Sequence, residues 1–217
     1  MTATIQDRDQ TRSEELANSI SHGIGLLTAL VAAPFMILHT IQGGDTETVV
    51  GSSIFVVTII FLYLTSTIYH ALPIGYAKRL FRVIEHSAIF LLIAGTYTPF
   101  MLTVLHGALG LTLLSLIWCI AISGITLKFF YRMAYPVAST ILYVFMGWLV
   151  LIAIKPLYDS MPTIGLLWIV AGGIAYTIGV AFYVADSQLR YGHFIWHLFV
   201  IAGTTCHYIA VLEYATR

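Results

Sequence analysis

The sequence predicts an all-α integral membrane protein that folds as a bundle of seven transmembrane helices. Of its 217 residues, 59% are apolar and only 9% are charged, and its mean hydropathy is +0.90. A soluble domain carries about 25% charged residues because its surface must face water. The composition therefore excludes a soluble globular enzyme, a disordered chain and a secreted disulfide scaffold.

The charge balance and the two cysteines narrow the class further. Ten basic and ten acidic residues give a net charge of zero, which offers no electrostatic attraction to nucleic acid, so no nucleic-acid partner is expected. Cys119 and Cys206 lie inside apolar runs. We therefore expect two buried thiols and no disulfide.

Seven stretches are long and apolar enough to span a bilayer, which takes about 20 residues of helix. In chain order they are Ile20–Gln42, Val49–Leu72, Ile84–Leu105, Gly107–Phe129, Tyr135–Ile154, Thr163–Ala185 and His193–Tyr214. Because the connections are short, residues 19–217 are expected to form a single seven-helix transmembrane domain. Residues 1–18 are polar, lack the features of a cleavable signal peptide, and are expected to be a cytoplasmic N-terminal segment.

The loops between these stretches predict which way the helices run, since cytoplasmic loops carry an excess of Lys and Arg. With the N-terminus inside, eight of the ten basic residues fall on the cytoplasmic side: Arg8, Arg12, Lys78, Arg79, Arg82, Lys128, Arg132 and Arg190. Only Lys155 and Arg217 fall outside, and the first outer loop carries Asp45 and Glu47 with no base. We predict a multi-pass protein of the cell (plasma or inner) membrane with its N-terminus in the cytoplasm and its C-terminus outside.

Several polar or ionisable side chains lie in or beside the apolar stretches, where burying them is costly and indicates a function. They occur in S-T-I-Y-H, in the Glu-His pair that opens the third stretch, and in H-F-I-W-H, and they are Ser66, His70, Glu85, His86, His193 and His197. Four residues turn a helix by about 400°, so His193 and His197 lie on one face, one turn apart.

The predicted topology brings four of these residues to the same cytoplasmic layer. His70 lies near the inner end of the second stretch, Glu85 is expected in the first turn of the third, and His193 and His197 open the seventh. Three neutral imidazoles leave one position of a tetrahedral zinc ion open, as in catalytic zinc sites. We therefore expect Zn²⁺ to be held by His70, His193 and His197.

Two further residues have catalytic roles in this interpretation. A zinc ion in such a site lowers the pKa of its water and supplies a hydroxide nucleophile. Glu85 could orient that water or take its proton, and Ser66 could hydrogen-bond the water or a substrate carbonyl.

Each of these side chains also has a simpler explanation. An H-x-x-x-H pair at a helix start is often solvated, and Ser66 alone is explained by a bond to the carbonyl four residues before it. His86 points about 100° away from Glu85, as an interfacial residue or a partner of that carboxylate. His22 is a weak fourth candidate. The remaining residues are expected to take no part in the site, namely Glu14 and Glu15 as a solvated charge pair, His39 and His106 at the outer edge, and His207 off the histidine face.

Four segments of the chain resemble the hemolysin III family. They are E-E-L-A-N-S-I-S-H-G-I-G (Glu14–Gly25), S-T-I-Y-H-A-L-P (Ser66–Pro73), E-H-S-A-I-F-L-L-I-A-G-T-Y-T-P-F (Glu85–Phe100) and H-F-I-W-H-L-F-V-I-A-G-T-T-C-H-Y (His193–Tyr208). That family is the bacterial branch of the progestin and adipoQ receptor superfamily, which includes the adiponectin receptors and is related to the alkaline ceramidases. The resemblance implies seven helices, a cytoplasmic N-terminus and zinc held by His70, His193 and His197. The family usually has aspartate where this chain has Glu85, which leaves open whether that carboxylate ligates the metal directly or through water.

The resemblance implies several functions that disagree with one another. Relatives are associated with hydrolysis of ceramide amides, with hormone signalling, with haemolysis and with membrane lipid homeostasis. We expect a zinc-dependent intramembrane hydrolase of a lipid amide or ester, involved in lipid homeostasis, with membrane lipids as partners. The alternatives are a sensor of membrane lipids or fluidity, or a receptor-like protein, with a structural zinc, then a haemolysin, and last a proton or ion carrier. The short loops disfavour a protein hormone as the ligand, and a chain this apolar is unsuited to be a released pore former.

Overall fold

The computed structural model describes residues 10–43, 45–131 and 135–216. These ranges contain helices and no β-strand. The helices are α1 (Arg12–Gly43), α2 (Thr46–Ala71), α3 (Tyr76–Thr103), α4 (Ala108–Tyr131), α5 (Pro136–Trp148), α6 (Ile154–Ser160), α7 (Thr163–Val184) and α8 (Gly192–Tyr214), with a 3₁₀ turn at Leu149–Ala153. Within the described ranges, seven helices are long and apolar enough to cross a membrane when Pro136–Ser160 is taken as one. The predicted seven-helix membrane fold is confirmed.

The helices form a ring in which each packs on the next and α8 closes against α1. The core lies mainly between α2 and α3, around Phe55, Phe90 and Met101. The outer surface is covered by exposed apolar side chains such as Leu27 and Phe35 of α1. That surface is suited to lipid, because apolar groups on it lose nothing by facing acyl chains.

The basic residues that the structure describes collect at one end of the bundle. The starts of α1, α3 and α8 and the end of α4 carry them, and they are Arg12, Lys78, Arg79, Arg82, Lys128 and Arg190. Lys155, in α6, lies at the other end. Arg8, Arg132 and Arg217 lie outside the described residues. By the excess of positive charge, the crowded end is the cytoplasmic one.

Helix α3 begins eight residues earlier than the sequence predicts, at Tyr76 rather than Ile84. The expectation that Glu85 lies in the first turn is therefore wrong, since it lies in the third. The added turns carry Lys78, Arg79 and Arg82, so the helix continues beyond the apolar layer into the polar interface. Helix α1 likewise begins at Arg12, inside the segment expected to be polar and separate.

The span formed by α5 and α6 is broken in its middle by a side chain from α3. The Tyr97 hydroxyl accepts a hydrogen bond from the Val150 backbone N–H at 2.7 Å and lies 2.8 Å from the carbonyl of Met146, to which it donates. A side chain inserted into the backbone ladder is a known cause of helix distortion, and here it accompanies the 3₁₀ turn at Leu149–Ala153. Pro156, which lacks an N–H, follows in α6.

The two cysteines are free, as predicted, but they are not buried. Cys119 is exposed on α4 and Cys206 is half-buried on α8. In a membrane protein an apolar run does not imply a place in the interior, because apolar side chains on the outer surface face lipid.

Candidate metal centre

Four predicted site residues from three helices meet at the cytoplasmic end of the bundle. They are His70 from the last turn of α2, Glu85 from α3, and His193 and His197 from the start of α8, and all four are buried. Each offers one ligand atom, and those atoms lie within 4.8 Å of one another. The cluster could hold a metal ion, as its residue types and spacing predicted.

The imidazoles of His70 and His193 are oriented by carboxylates on their far side. His70 Nδ1 donates to Glu15 Oε2 at 2.7 Å, and His193 Nδ1 donates to Asp186 Oδ2 at 3.1 Å. A carboxylate only accepts, so each Nδ1 carries the hydrogen, and in the neutral imidazole each Nε2 keeps its lone pair. Hydrogen bonds of this kind fix the ring and tautomer of metal-ligating histidines.

The third imidazole is held by α1 rather than by a charge. His197 Nδ1 lies 3.2 Å from the carbonyl of Asn18 and 3.0 Å from the hydroxyl of Ser21, which itself donates to that carbonyl at 2.8 Å. The carbonyl requires the hydrogen on Nδ1, so Nε2 again keeps its lone pair. The same tautomer is thus set in all three histidines by different elements.

The three Nε2 atoms test whether the centre fits a metal. Those of His70, His193 and His197 are buried and have no hydrogen-bond partner in the described part of the chain. A buried acceptor without a partner is costly, and here three of them converge on one point. A metal ion would satisfy all three at once, and imidazole is a good ligand for zinc among other transition metals. The three histidines therefore fit a bound metal ion.

Glu85 stands at the edge of this cluster and is held by Ser66. The Ser66 hydroxyl donates to Glu85 Oε1 at 2.8 Å, and that oxygen lies 3.6 Å from His70 Nε2. The other oxygen, Oε2, lies 3.2 Å from His86 Nδ1 but makes no hydrogen bond to any described residue. The explanation of Ser66 as a serine bonded to its own helix backbone is therefore wrong, because its hydroxyl bonds Glu85 instead.

Helix α1 contributes a polar face that the sequence interpretation missed. Glu14, Asn18, Ser21 and His22 are all buried, and their spacing places them on one side of a helix. Glu14 and Glu15 were expected to be a solvated pair. Instead Glu14 Oε1 accepts from the backbone N–H of Tyr191 at 2.9 Å, and Glu15 bonds His70. The signal was present as polar residues recurring at helical spacing where the first helix begins.

The bond from Glu14 secures the start of α8. Tyr191 precedes the helix in the left-handed conformation, with φ of 61°, which residues other than glycine rarely adopt. The second oxygen of Glu14 accepts from the backbone and hydroxyl of Thr11, at 3.0 and 2.7 Å. This carboxylate therefore ties the turn before His193 to the first helix.

The other histidines have separate places. His86 is buried beside Glu85, and its Nδ1 donates to the carbonyl of Arg82 at 2.8 Å. His39 and His106 are exposed at the outer end, as predicted. His207 lies away from the cluster, with Nε2 donating to the carbonyl of Ile169 at 3.1 Å. His22 stacks on His197 with ring centroids 3.5 Å apart.

An apolar cavity runs from Glu85, the one cluster residue that lines it, into the bundle between α3, α5, α7 and α8. Its lining follows α3 from Glu85 to Met101, a rise of about 24 Å at 1.5 Å per residue. Most of its lining side chains are apolar, and His22 lines it beside Glu85. The cavity is longer than one leaflet of a hydrocarbon core about 30 Å thick, which gives it the length of a lipid chain.

Comparison with known proteins finds relatives that share the haemolysin III name. Residues 10–208 match the family described as haemolysin-III related. The chain is 42% identical to Hemolysin-3 of Bacillus cereus over 214 residues, covering 99% of this chain and 97% of that one. It is also 42% identical to the Hemolysin-3 homolog of Bacillus subtilis (strain 168) over 207 residues, covering 95% and 97%. No solved structure matches the chain.

A more distant relative is the Monocyte to macrophage differentiation factor of Homo sapiens, 28% identical over 211 residues that cover 94% of this chain and 85% of that one. The family match contains every residue of the candidate centre, from Glu14 and Glu15 to His193 and His197. The resemblance found in the sequence motifs is confirmed over nearly the whole chain. The chain belongs to the haemolysin-III related family of multi-pass membrane proteins.

Proposed function

We propose that the protein is a zinc-dependent intramembrane hydrolase that cleaves an amide or ester bond of a membrane lipid and contributes to lipid homeostasis. The observation that carries the proposal is a cluster of three Nε2 atoms, without hydrogen-bond partners among the described residues, around a Glu85 carboxylate that also lines a cavity of lipid-chain length. A catalytic zinc site has this form, with three protein ligands and one open position.

The residues that would hold zinc are His70, His193 and His197. Bound there, the ion would acidify a water molecule and polarise the substrate carbonyl. Glu15 and Asp186 keep the Nε2 lone pairs of His70 and His193 directed at the site through the hydrogen bonds on Nδ1. The α1 backbone does the same for His197.

In this proposal Glu85 acts as the general base and then the general acid. Its Oε1 is occupied by the Ser66 hydroxyl, whereas its buried Oε2 makes no hydrogen bond and can accept a proton. The oxygen of water forms a bond to the carbonyl carbon while its proton passes to Glu85. The bond from that carbon to nitrogen or oxygen then breaks, and the proton goes from Glu85 to the departing amine or alcohol.

The apolar cavity supplies binding for the rest of the lipid. Side chains such as Leu92, Ile93 and Val200 line it, so an acyl chain can lie there with its carbonyl at the Glu85 end. The same apolar lining gives no support for a conducting pore, which needs polar groups along its walls. It equally suits a protein that binds a lipid without cleaving it, and the experiment has to separate these two.

The first experiment measures metal in detergent-purified protein by ICP-MS, for the wild type and for H193A and H197A. We expect about one zinc per chain in the wild type and loss of it in both variants, with gel filtration showing intact protein. H39A is the matched control, since His39 is exposed at the other end, and it should keep its metal. A folded, chelator-free wild type without metal overturns the zinc part of the proposal.

The second experiment tests catalysis directly. Purified protein is incubated with a membrane lipid extract, with and without a zinc chelator, and the products are followed by mass spectrometry. We expect chelator-sensitive release of fatty acid from one lipid class. Metal-loaded protein that releases none from any class contradicts the hydrolase, and a lipid sensor with a structural zinc then explains the site better.

A further inference from the structure

We propose that His22 binds the substrate, with its Nε2 accepting a hydrogen bond from the N–H of a lipid amide, so that the site prefers N-acyl lipids to esters. The inference rests on the proposed lipid-binding cavity, although its test does not depend on hydrolysis. It begins with a chain of three side chains, His22, Ser66 and Glu85, that links α1, α2 and α3.

The directions of the hydrogen bonds in this chain fix the tautomer of His22. The single hydroxyl hydrogen of Ser66 is donated to Glu85 Oε1 at 2.8 Å. The Ser66 oxygen can then only accept from His22 Nδ1, which lies 2.7 Å away. Nδ1 therefore carries the ring hydrogen of neutral His22, and Nε2 is left with a bare lone pair.

That lone pair has no hydrogen-bond partner among the residues that the structure describes. Nε2 of His22 is buried without a hydrogen bond, in a residue only 3% exposed that lines the apolar cavity. The metal ligand group comprises His70, Glu85, His193 and His197 and does not include His22. A buried acceptor beside a cavity is satisfied when the occupant of that cavity brings a donor.

The ring of His22 is held firmly in place. It stacks on His197 with centroids 3.5 Å apart and planes 6° apart, and Tyr63 packs against it at 5.1 Å. With Nδ1 also bonded to Ser66, the ring cannot turn to find another donor without losing its hydrogen bond and its stack. The acceptor is thus preorganised beside one of the proposed ligands.

The position of His22 decides which donor it can meet. It is separated from Glu85 by a single hydroxyl and stacked on a histidine of the centre, so a lipid donor that reaches it lies close to the carbonyl under attack. The nitrogen of a secondary amide is bonded directly to that carbonyl and carries a hydrogen. The corresponding oxygen of an ester carries none, and it would leave Nε2 unpaired.

The test compares two ligands on metal-depleted protein in detergent, so that no hydrolysis is required. One is a fluorescent N-acyl lipid with a secondary amide, and the other is its N-methylated analogue with the same chains. We expect the wild type to bind the secondary amide about five- to tenfold more tightly, the usual size of one hydrogen bond.

Two variants of His22 separate its two nitrogen atoms. In H22N the new amide can still donate to Ser66 but nothing replaces Nε2, so the preference should fall to about onefold. H22Q places an acceptor near the position of Nε2 and should keep part of the preference. H39N is the matched control, because His39 is exposed at the opposite end, and it should behave as the wild type.

Other outcomes overturn the inference. A wild type that binds both lipids equally, or an H22N variant that keeps the full preference, shows that His22 is not the acceptor. If H22N does not fold, a photoreactive group beside the amide of the bound lipid decides the matter in the wild type. Labelling of the α1 peptide that contains His22 supports its contact with the lipid amide, and labelling confined to other helices contradicts that contact.

The outcomes for the two proposals are distinguishable. A binding preference that depends on His22, in a protein that cleaves no lipid, supports the role of His22 and contradicts the hydrolase activity. If the wild type hydrolyses esters and amides at equal rates and shows no binding preference for the secondary amide, the hydrolase activity is supported and the role of His22 is contradicted.

Discussion

Glu15 on the first turn of α1 accepts a hydrogen bond from Nδ1 of His70 at 2.7 Å, which joins the first helix to a proposed ligand on the second. Its other oxygen pairs with Lys78 at 3.0 Å. The carboxylate therefore orients the imidazole and makes it a better donor to a metal. Removing such a partner lowers metal affinity by about 10- to 100-fold.

We expect E15A to bind zinc about 10- to 100-fold more weakly than the wild type, measured by competition with a chelator of known affinity. E15Q keeps an acceptor for Nδ1 without the charge, so its affinity should fall between the two. E47A is the matched control, since Glu47 is exposed at the opposite end of the bundle. Unchanged zinc affinity in E15A would show that the bond to His70 does not support the centre.

Oxygen Oε2 of Glu85 leads to a prediction about catalysis rather than about metal binding. In E85Q the amide cannot take a proton, so lipid hydrolysis should fall by about 100-fold or more, whereas the three histidines should still hold zinc. The measurement is the initial rate of fatty-acid release, with zinc content determined on the same sample. If E85Q keeps its zinc and still has the full effect of the wild type on lipid homeostasis, a lipid sensor is favoured over an enzyme.

Much of this architecture can be predicted from local patterns in the sequence. Runs of about 20 apolar residues located the seven spans, and the i, i+4 spacing of His193 and His197 with the side assigned to His70 placed the centre. The partners of the ligands were not accessible in the same way. Glu15 meets His70, 55 residues later, only because α1 packs on α2 with that face inward, and the rotation of a helix is decided by packing.

The α1 pattern shows how a usable signal was overlooked. Glu14, Asn18, Ser21 and His22 recur at helical spacing, but they lie where a polar segment gives way to an apolar one, a place where charges are usually solvated. The structure buries that face against α8, where Ser21 lies 3.0 Å from His197 Nδ1. Polar residues at helical period in a membrane helix indicate an inward face even at the helix end.

At Gly172, helix α7 packs closely against α8. A methyl group there would lie 2.5 Å from two ring atoms of His207 and 3.1 Å from the carbonyl of Gly203. The imidazole is tied to the carbonyl of Ile169 and cannot easily move. We expect G172A to lose about 1–3 kcal/mol of stability, as overpacked cores do, seen as a lower Tm in detergent.

The neighbouring glycine is the control for this prediction. At Gly173 a methyl group would meet nothing within 4 Å, so G173A should have a Tm close to that of the wild type or slightly above it, since alanine favours helix. Equal thermal stability in G172A and G173A would contradict the close packing of α7 on α8.

The far end of the cavity gives a prediction about chain length. Val170 lines the cavity on α7, thirteen residues before Tyr183, whose ring lies near that of the proposed ligand His193, so V170W should fill the space that the end of a long acyl chain occupies. We expect kcat/KM for a long-chain lipid to fall about tenfold, with little change for a short-chain lipid of the same head group. L167W is the matched control, because Leu167 is exposed on the outside of the same helix. Equal losses for both chain lengths in V170W would mean that the chain lies elsewhere, since a blocked cavity end can only be felt by a chain that reaches it.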